Sequence, residues 1–181
     1  MKKVLFVKFL AVFFTLMYVT GGVYAQDEAF DKGDMVINAG VGLGTYTGWA
    51  GYSTKIPYIS GTFEYCLFEM FKDRAAIGVG GYTAYSSSKY KGKEEWGYSN
   101  FIVGGKLFLH YQFIEKLDTY LGFMFGYDIV SYGHKDANLG GSAFISAQTI
   151  GARYYFSKNF ALFGEVGYGV TPLEVGIAFK F

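Results

Sequence analysis

The sequence predicts an all-β protein, an eight-stranded antiparallel up-and-down transmembrane β-barrel that follows a cleaved signal peptide. Three observations lead to this fold. Aromatic residues make up 21% of the 181 residues, and 26 glycines accompany only 2 prolines, a composition that favours strands over low-complexity chains. Eight segments alternate between an apolar face and a small or polar face with a period of two. The connections between them are short at one end and mostly longer and polar at the other.

Residues 1–25 are predicted to be the signal peptide, and residues 26–181 the barrel domain. The chain begins with two lysines, continues with an uncharged apolar stretch over residues 9–19, and reaches small residues before Ala25. As a helix this stretch would rise only about 16 Å, against the roughly 30 Å of a hydrocarbon core, which disfavours a transmembrane helix. We therefore expect export through the signal-peptide-dependent pathway, with cleavage after Ala25.

Each of the eight segments shows the alternation of a strand whose faces meet different surroundings. In the first segment, Met35 and Ile37 lie on one face while Asn38 and Gly40 lie on the other. The segment with the least regular alternation is 144–156, because its apolar face also carries Ser146 and Gln148. In segment 160–170 the expected apolar face is formed by Leu162, Val166, Tyr168 and Val170. The predicted strands are 34–44, 58–67, 75–85, 101–112, 119–130, 144–156, 160–170 and 173–181.

The more apolar face of these segments is predicted to contact lipid. It carries no charged residue in any segment, whereas a water-soluble barrel places its charges on the outside. The opposite face carries charges interleaved with glycines, which suits the narrow interior of eight strands. Closure is expected because unpaired backbone groups are not tolerated in hydrocarbon. The charged residues assigned to the lumen are Glu64, Lys106, Asp128, Arg153, Glu165, Glu174 and Lys180.

These lumen charges favour a salt-bridged plug, with an ion pathway as the other interpretation. Buried charges must be paired, and the interior of eight strands is only wide enough for side chains. Arg153 and Glu165 lie on neighbouring segments across the short connection 157–159 and form the predicted pair. The function alternative that follows from the second interpretation is a narrow porin-like channel for small solutes.

The longer connections, 45–55, 86–98 and 131–141, are expected on the outer side of the membrane. Their aromatic residues suit anchoring at the membrane interface, and contact with an extracellular ligand is the alternative. The candidate surface-contact residues are Tyr46, Trp49, Tyr52, Tyr90 and Trp96.

No motif indicates catalysis strongly. His134 lies in a long connection near Asp136 and Ser131, so a lipid-modifying outer-membrane enzyme is a third function to consider. A Ser/His/Asp catalytic triad, however, needs a fixed geometry. His110 falls on the inner face, and Cys66 is expected as a small inward side chain, with an intermolecular disulfide as the alternative. A single cysteine excludes an internal disulfide framework, and we expect no cofactor and no metal. The net charge of +1 argues against a nucleic-acid partner.

The C-terminal stretch GYGVTPLEVGIAFKF ends in an outward aromatic residue, Phe181. It resembles the terminal strand that outer-membrane barrel proteins present to the barrel-assembly machinery. The preceding stretch GARYYFSKNFALFGEVGYG resembles the penultimate hairpin of the small outer-membrane β-barrel family, which includes the OmpA transmembrane domain and OmpX-like proteins. The resemblance covers nearly the whole mature chain in architecture, and the quoted stretches in sequence.

This resemblance implies a place in the outer membrane of a Gram-negative type of cell. It also implies contact with outer-membrane lipids, recognition of Phe181 by the assembly machinery, and a structural or surface-interaction role without enzymatic activity. The chain departs from adhesive members of the family at the very short connection around Thr171 and Pro172, where those members often carry a longer loop.

Overall fold

The computed structural model describes residues 29–44, 52–70, 74–90, 97–133 and 142–181, with only the backbone described for Tyr52 and Tyr90. Eight antiparallel strands close into a single barrel in which each strand pairs with the next and β8 pairs with β1, so the predicted fold class is confirmed. None of the described residues forms a helix long and apolar enough to cross a membrane. The strands are β1 Met35–Leu43, β2 Tyr52–Met70, β3 Ala75–Tyr90, β4 Gly97–Ile114, β5 Leu117–Tyr132, β6 Ala143–Tyr155, β7 Phe160–Tyr168 and β8 Leu173–Lys180.

Four strands are longer than the sequence predicts, mostly at their outer ends. β2 to β5 contain 16 to 19 residues each, whereas β1, β7 and β8 contain 8 or 9. The extra residues are mostly polar on both faces of the strand. Their sequence therefore lacks the alternation of apolar and polar residues, although their backbone hydrogen bonds to the neighbouring strands continue. Ser99 of β4, for example, pairs with Ser87 of β3 and with Ser131 of β5.

The predicted faces are confirmed along nearly the whole barrel. In β4 the exposure alternates strictly around Ile102, which is buried between the exposed Phe101 and Val103. The prediction for Val170 is wrong, because this side chain is buried. Gly169 next to it has a φ of +123°, a conformation that interrupts the strand and turns the following residue inward.

The outward apolar side chains form a band whose height fits a bilayer. On β4 they run from Phe101 to Phe113, about 40 Å along the strand and about 30 Å along the barrel axis at a usual tilt. Above Phe101 the outward row continues with Ser99, whose cross-strand partners are also serines. This row of serines marks the outer boundary of the band.

The lumen is filled by side chains. Two apolar clusters occupy its lower and upper parts, where lower means the end that carries the short turns and the described chain termini. The lower cluster is Ala29, Phe30, Val36, Cys66, Ala76, Tyr155, Ala161, Phe163 and Ala178. The upper cluster is Tyr58, Tyr82, Ala84, Ile102, Met124, Ala147 and Val170.

Candidate functional site

Four ionisable side chains form a closed ring in the lower lumen, which we call the lower ring. Its members are Glu64 of β2, His110 of β4, Asp118 of β5 and Arg153 of β6, all at most 5% exposed. Arg153 donates to Glu64 and, at 3.2 Å, to Asp118 Oδ2. His110 Nδ1 lies 2.7 Å from Asp118 Oδ1, and His110 Nε2 lies 2.5 Å from Glu64 Oε1. Each carboxylate therefore bridges the guanidinium and the imidazole, and both contacts of His110 are satisfied when the imidazole carries two protons.

A second polar group lies above the lower ring. Lys106 Nζ is 2.8 Å and 2.7 Å from the two oxygens of Glu165, and the Tyr120 hydroxyl donates to Glu165 Oε1 at 2.9 Å. On the neighbouring strand, Glu174 accepts a hydrogen bond of 2.5 Å from Ser60. Glu165 and Glu174 are direct cross-strand partners in β7 and β8, so Lys106 lies near two carboxylates at once.

Glycines on the inner face make room for these long side chains. A Cβ atom at Gly122 would lie 2.6 Å from Lys106 Cε, and one at Gly151 would lie 2.7 Å from the hydroxyl of Tyr120. Both distances are below 3.0 Å, so a Cβ atom at either position would force the Lys106 or the Tyr120 side chain to shift. The glycines that appear in the alternating pattern are therefore what allows Lys106 and Tyr120 to cross the lumen toward Glu165.

The predicted pair of Arg153 with Glu165 is wrong. In the register of β6 and β7, Arg153 lies opposite Phe163, while Glu165 lies opposite Gly151. On its other side Arg153 lies directly opposite Asp118 of β5. The guanidinium therefore contacts Asp118 and reaches across the lumen to Glu64, and Glu165 pairs with Lys106 instead.

Asp118 lies in the lumen, although the sequence pattern predicts it in the connection before the fifth strand, which is expected to begin at residue 119. β5 begins at Leu117, and Asp118 has the same parity as the buried Tyr120. The signal was present in the sequence as a backward extension of the alternation. A charged residue next to a turn, however, favours assignment of that residue to the turn and not to the strand.

The other predicted lumen charges lie at the two ends of the barrel. Asp128 is buried near the outer end, where Asn100 Nδ2 donates to its Oδ2 at 2.7 Å. Lys180 lies at the lower rim, where its Nζ is 3.0 Å from Asp34 Oδ2 and 5.4 Å from the ring centre of Tyr155.

The described N-terminal residues close the lower mouth of the barrel, and we call residues 29–34 the strap. The Phe30 side chain is 5% exposed, and its ring centre lies 4.3 Å from that of His110 and 5.8 Å from Arg153 Cζ. The backbone N–H of Ala29 donates to Gln112 Oε1 at 3.2 Å. The strap thus covers the lower ring with an aromatic side chain. Nothing in the periodicity of the sequence indicated this, because the strap precedes the first strand.

The lumen also contains a small cavity next to the Lys106–Glu165 pair, with room for about one or two water molecules. Thr149 lines it, and the Thr149 hydroxyl is buried without a hydrogen-bond partner. Both polar atoms of the Asn38 side chain and Arg153 Nε are likewise buried without a partner. In buried polar surroundings such atoms are commonly satisfied by internal water. Among the described residues, no three His, Cys, Asp or Glu side chains are arranged to hold a metal ion.

The predicted surface-contact residues fall mostly outside the described parts of the chain. Tyr46, Trp49 and Trp96 lie there, as do His134 and Asp136 of the considered catalytic group. Tyr52 and Tyr90 are cross-strand partners at the outer end of β2 and β3.

Phe181 lies at the lower rim, points outward and is 50% exposed. Its backbone N–H donates to Met35 O at 3.0 Å, and its carbonyl accepts from Met35 N at 3.2 Å. The last residue of the chain therefore extends the seam between β1 and β8.

The barrel has a counterpart among solved structures. The outer membrane protein OprG from Pseudomonas aeruginosa superposes with a TM-score of 0.53, at 15% sequence identity, over 85% of this chain and 98% of that one. The fold is that of a small eight-stranded outer-membrane β-barrel. The barrel also matches Ail of Yersinia pestis, with a TM-score of 0.49, 16% identity, and 83% and 100% of the two chains covered.

The N-terminal β-barrel domain of OprF from Pseudomonas aeruginosa matches with a TM-score of 0.47, 17% identity, and 83% and 98% coverage. No protein-family model and no curated protein sequence matches the chain. The superposition on OprG confirms the resemblance to the small outer-membrane barrels in the fold.

Proposed function

We propose that this chain is an integral outer-membrane β-barrel protein with a structural or surface-interaction role and a lumen closed by its own side chains. One observation carries the proposal, namely the separation of a predominantly apolar outer surface from a lumen that holds buried ion pairs. Large apolar side chains such as Phe123 and Leu109 are exposed on the outside, while ion pairs such as Lys106–Glu165 are buried inside. In water the exposed apolar outer surface would be unfavourable, whereas the hydrocarbon of a bilayer favours it.

The outer membrane is the proposed location because the fold is shared with an outer membrane protein and because the chain begins with a signal-like segment. Its partners would be outer-membrane lipids and, during biogenesis, the barrel-assembly machinery. Processing after Ala25 would leave residues 26–28 ahead of the strap.

The plug is supported by the pairing of the lumen charges. The lower ring joins four strands, and the strap covers it from below. An open pathway would have to break these contacts, and leaving one buried charge unpaired costs about 3–5 kcal/mol. This cost favours the plug over the porin-like channel.

A surface-interaction role is supported by the uneven height of the barrel. Above the row of serines, β3 continues to Tyr90 and β4 starts at Gly97, so that a sheet built from β2 to β5 projects beyond the apolar band. Such a projection is not needed to cross the membrane. Its polar surface is where an extracellular ligand would bind.

The proposal is tested by purifying the protein from the outer-membrane fraction and reconstituting it into planar bilayers. We expect a heat-modifiable band in the outer-membrane fraction and no large, steady conductance. Sustained pore-like steps from the unmodified protein would replace the plug by the channel. Recovery in the soluble fraction would contradict the membrane placement itself.

A further inference from the structure

The outward face of β6 differs from the rest of the apolar band. Below Phe144, at its outer end, this face carries two polar side chains in succession, Ser146 and Gln148, and both point away from the lumen. Ser146 lies opposite Phe125 of β5, and Gln148 lies opposite Phe123. Gln148 is about 10 Å below the outer end of the strand, well inside the band that faces hydrocarbon.

The carboxamide of Gln148 has no hydrogen-bond partner within the part of the chain that the structure describes. An amide that enters hydrocarbon without a hydrogen bond is strongly disfavoured, and lipid tails offer neither a donor nor an acceptor. Between transmembrane helices, Gln, Asn, Ser and Thr side chains find such partners on the neighbouring protein surface. The position of Gln148 therefore points to a protein contact that a single chain does not supply.

The surroundings of the two polar residues have the shape of a contact surface. Four large side chains stand around them and are 63% to 89% exposed, which places them among the most protruding of the band. The outer surface forms a depression at Ser146, because the side chain of serine is short. We call this surface the β6 face, and it consists of Phe125, Phe144, Ser146, Gln148, Ile150 and Tyr168.

We propose that the β6 face is a lateral interface with a second copy of this chain in the membrane. A carboxamide carries both a donor and an acceptor, so two copies of Gln148 related by a two-fold axis can satisfy each other with two N–H···O bonds. The aromatic rings of one copy would pack into the depression at Ser146 of the other. This inference rests on the proposed placement of the barrel in a bilayer.

The first test compares association of the full mature chain and of Gln148→Leu in lipid vesicles. Energy transfer between donor-labelled and acceptor-labelled copies is followed as the lipid is diluted. We expect the unmodified protein to associate, and Gln148→Leu to associate about tenfold more weakly, because both hydrogen bonds are lost. Thr83→Leu, which removes an outward polar group from β3, should associate as the unmodified protein does.

The second test places a cysteine on the interface. Gln148→Cys should give a disulfide-linked dimer on oxidation, whereas Phe63→Cys on β2, across the barrel, should not. Cys66 is buried in the lumen and does not compete. Heat-modifiable migration is recorded for every variant, so that a failure to insert, which contradicts the membrane placement, is distinguished from a loss of association alone. An unmodified protein that stays monomeric at every lipid ratio overturns the proposal.

Discussion

Arg153 and His110 share the same two carboxylate partners, Glu64 and Asp118, although the four residues come from four different strands. Arg153 lies on β6 and His110 on β4, with β5 between them, and Glu64 is on β2. The shared partners tie together strands that are not neighbours in the barrel. The side-chain contacts of the lower ring therefore link strands across the lumen, in addition to the backbone hydrogen bonds that link neighbouring strands around the wall.

Removing the guanidinium should destabilise the barrel strongly. Arg153→Met leaves Glu64 and Asp118 with only His110, and breaking a buried pair in this way costs about 3–5 kcal/mol. The measurement is the free energy of unfolding by urea in lipid vesicles. Lys180→Met is the control, because its ion pair with Asp34 lies at the partly exposed rim and is worth about 0–1 kcal/mol. Equal losses for the two variants would show that the ring adds nothing beyond a surface pair.

The depth of the apolar band can be measured on a single strand. Phe123→Arg places a charge near the middle of the band and should cost about 2–4 kcal/mol, whereas Ser131→Arg, in the row of serines on the same strand, should cost about 0–1 kcal/mol. Both positions point outward, so the comparison varies depth alone. A larger loss at Ser131 would move the band outward from the position that the side chains indicate.

The strap should contribute to stability as a core element does. Phe30→Ala removes a buried ring from contact with His110, and a substitution of this kind in a core costs about 3–5 kcal/mol. Phe113→Ala at the lower rim, where the ring is 71% exposed, should cost clearly less. Unfolding free energies in detergent micelles would compare the two. A loss below that of Phe113→Ala would mean that the strap does not hold the lower mouth closed.

Phe181 should matter more for assembly in cells than for stability. Phe181→Ser keeps both backbone bonds to Met35 and removes a half-exposed ring, a loss of about 1–3 kcal/mol. We expect reduced insertion into the outer membrane and nearly normal refolding into detergent, both followed by heat-modifiable migration. Phe160→Ser removes another outward ring at the same rim and should leave insertion in cells nearly unchanged. Equal insertion of both variants would remove the argument that the assembly machinery recognises the last residue.

Signal cleavage is expected after Ala25. Mass spectrometry of the protein extracted from membranes should find Gln26 as the first residue. A mature form that retains the lysines at the start of the chain would contradict the division into residues 1–25 and 26–181.

The strands and their faces were predictable because every second residue of a membrane-spanning strand faces lipid. The rule is that a side chain in contact with hydrocarbon is apolar. Wherever that rule applies, as from Phe101 to Gln112, the sequence pattern and the exposure agree. Above the band the rule no longer operates, and the outer ends of β2 to β5 were missed for this reason. At Val170 a single backbone torsion, that of Gly169, reverses the face.

The pairing of the lumen charges was not predictable in the same way. Alternation shows that Arg153 points inward but does not show which carboxylate it meets. Its partner Glu64 is 89 positions away in the chain, and the two meet only because the barrel closes. Proximity in the sequence suggested Glu165 as the partner of Arg153. The register of β6 and β7 instead places Phe163 opposite Arg153.

The outer rim of the barrel is high on one side and low on the other. On β3 the chain rises about 12 Å beyond Tyr85, whereas the connection from β7 to β8 turns back at Gly169 to Pro172 without such a rise. Headgroups of the outer leaflet can cover the low side, while the tall side stands clear of them. A large molecule arriving from outside would therefore reach the projecting sheet of β2 to β5 first. The rotation of the barrel about the membrane normal would decide from which side that sheet can be approached.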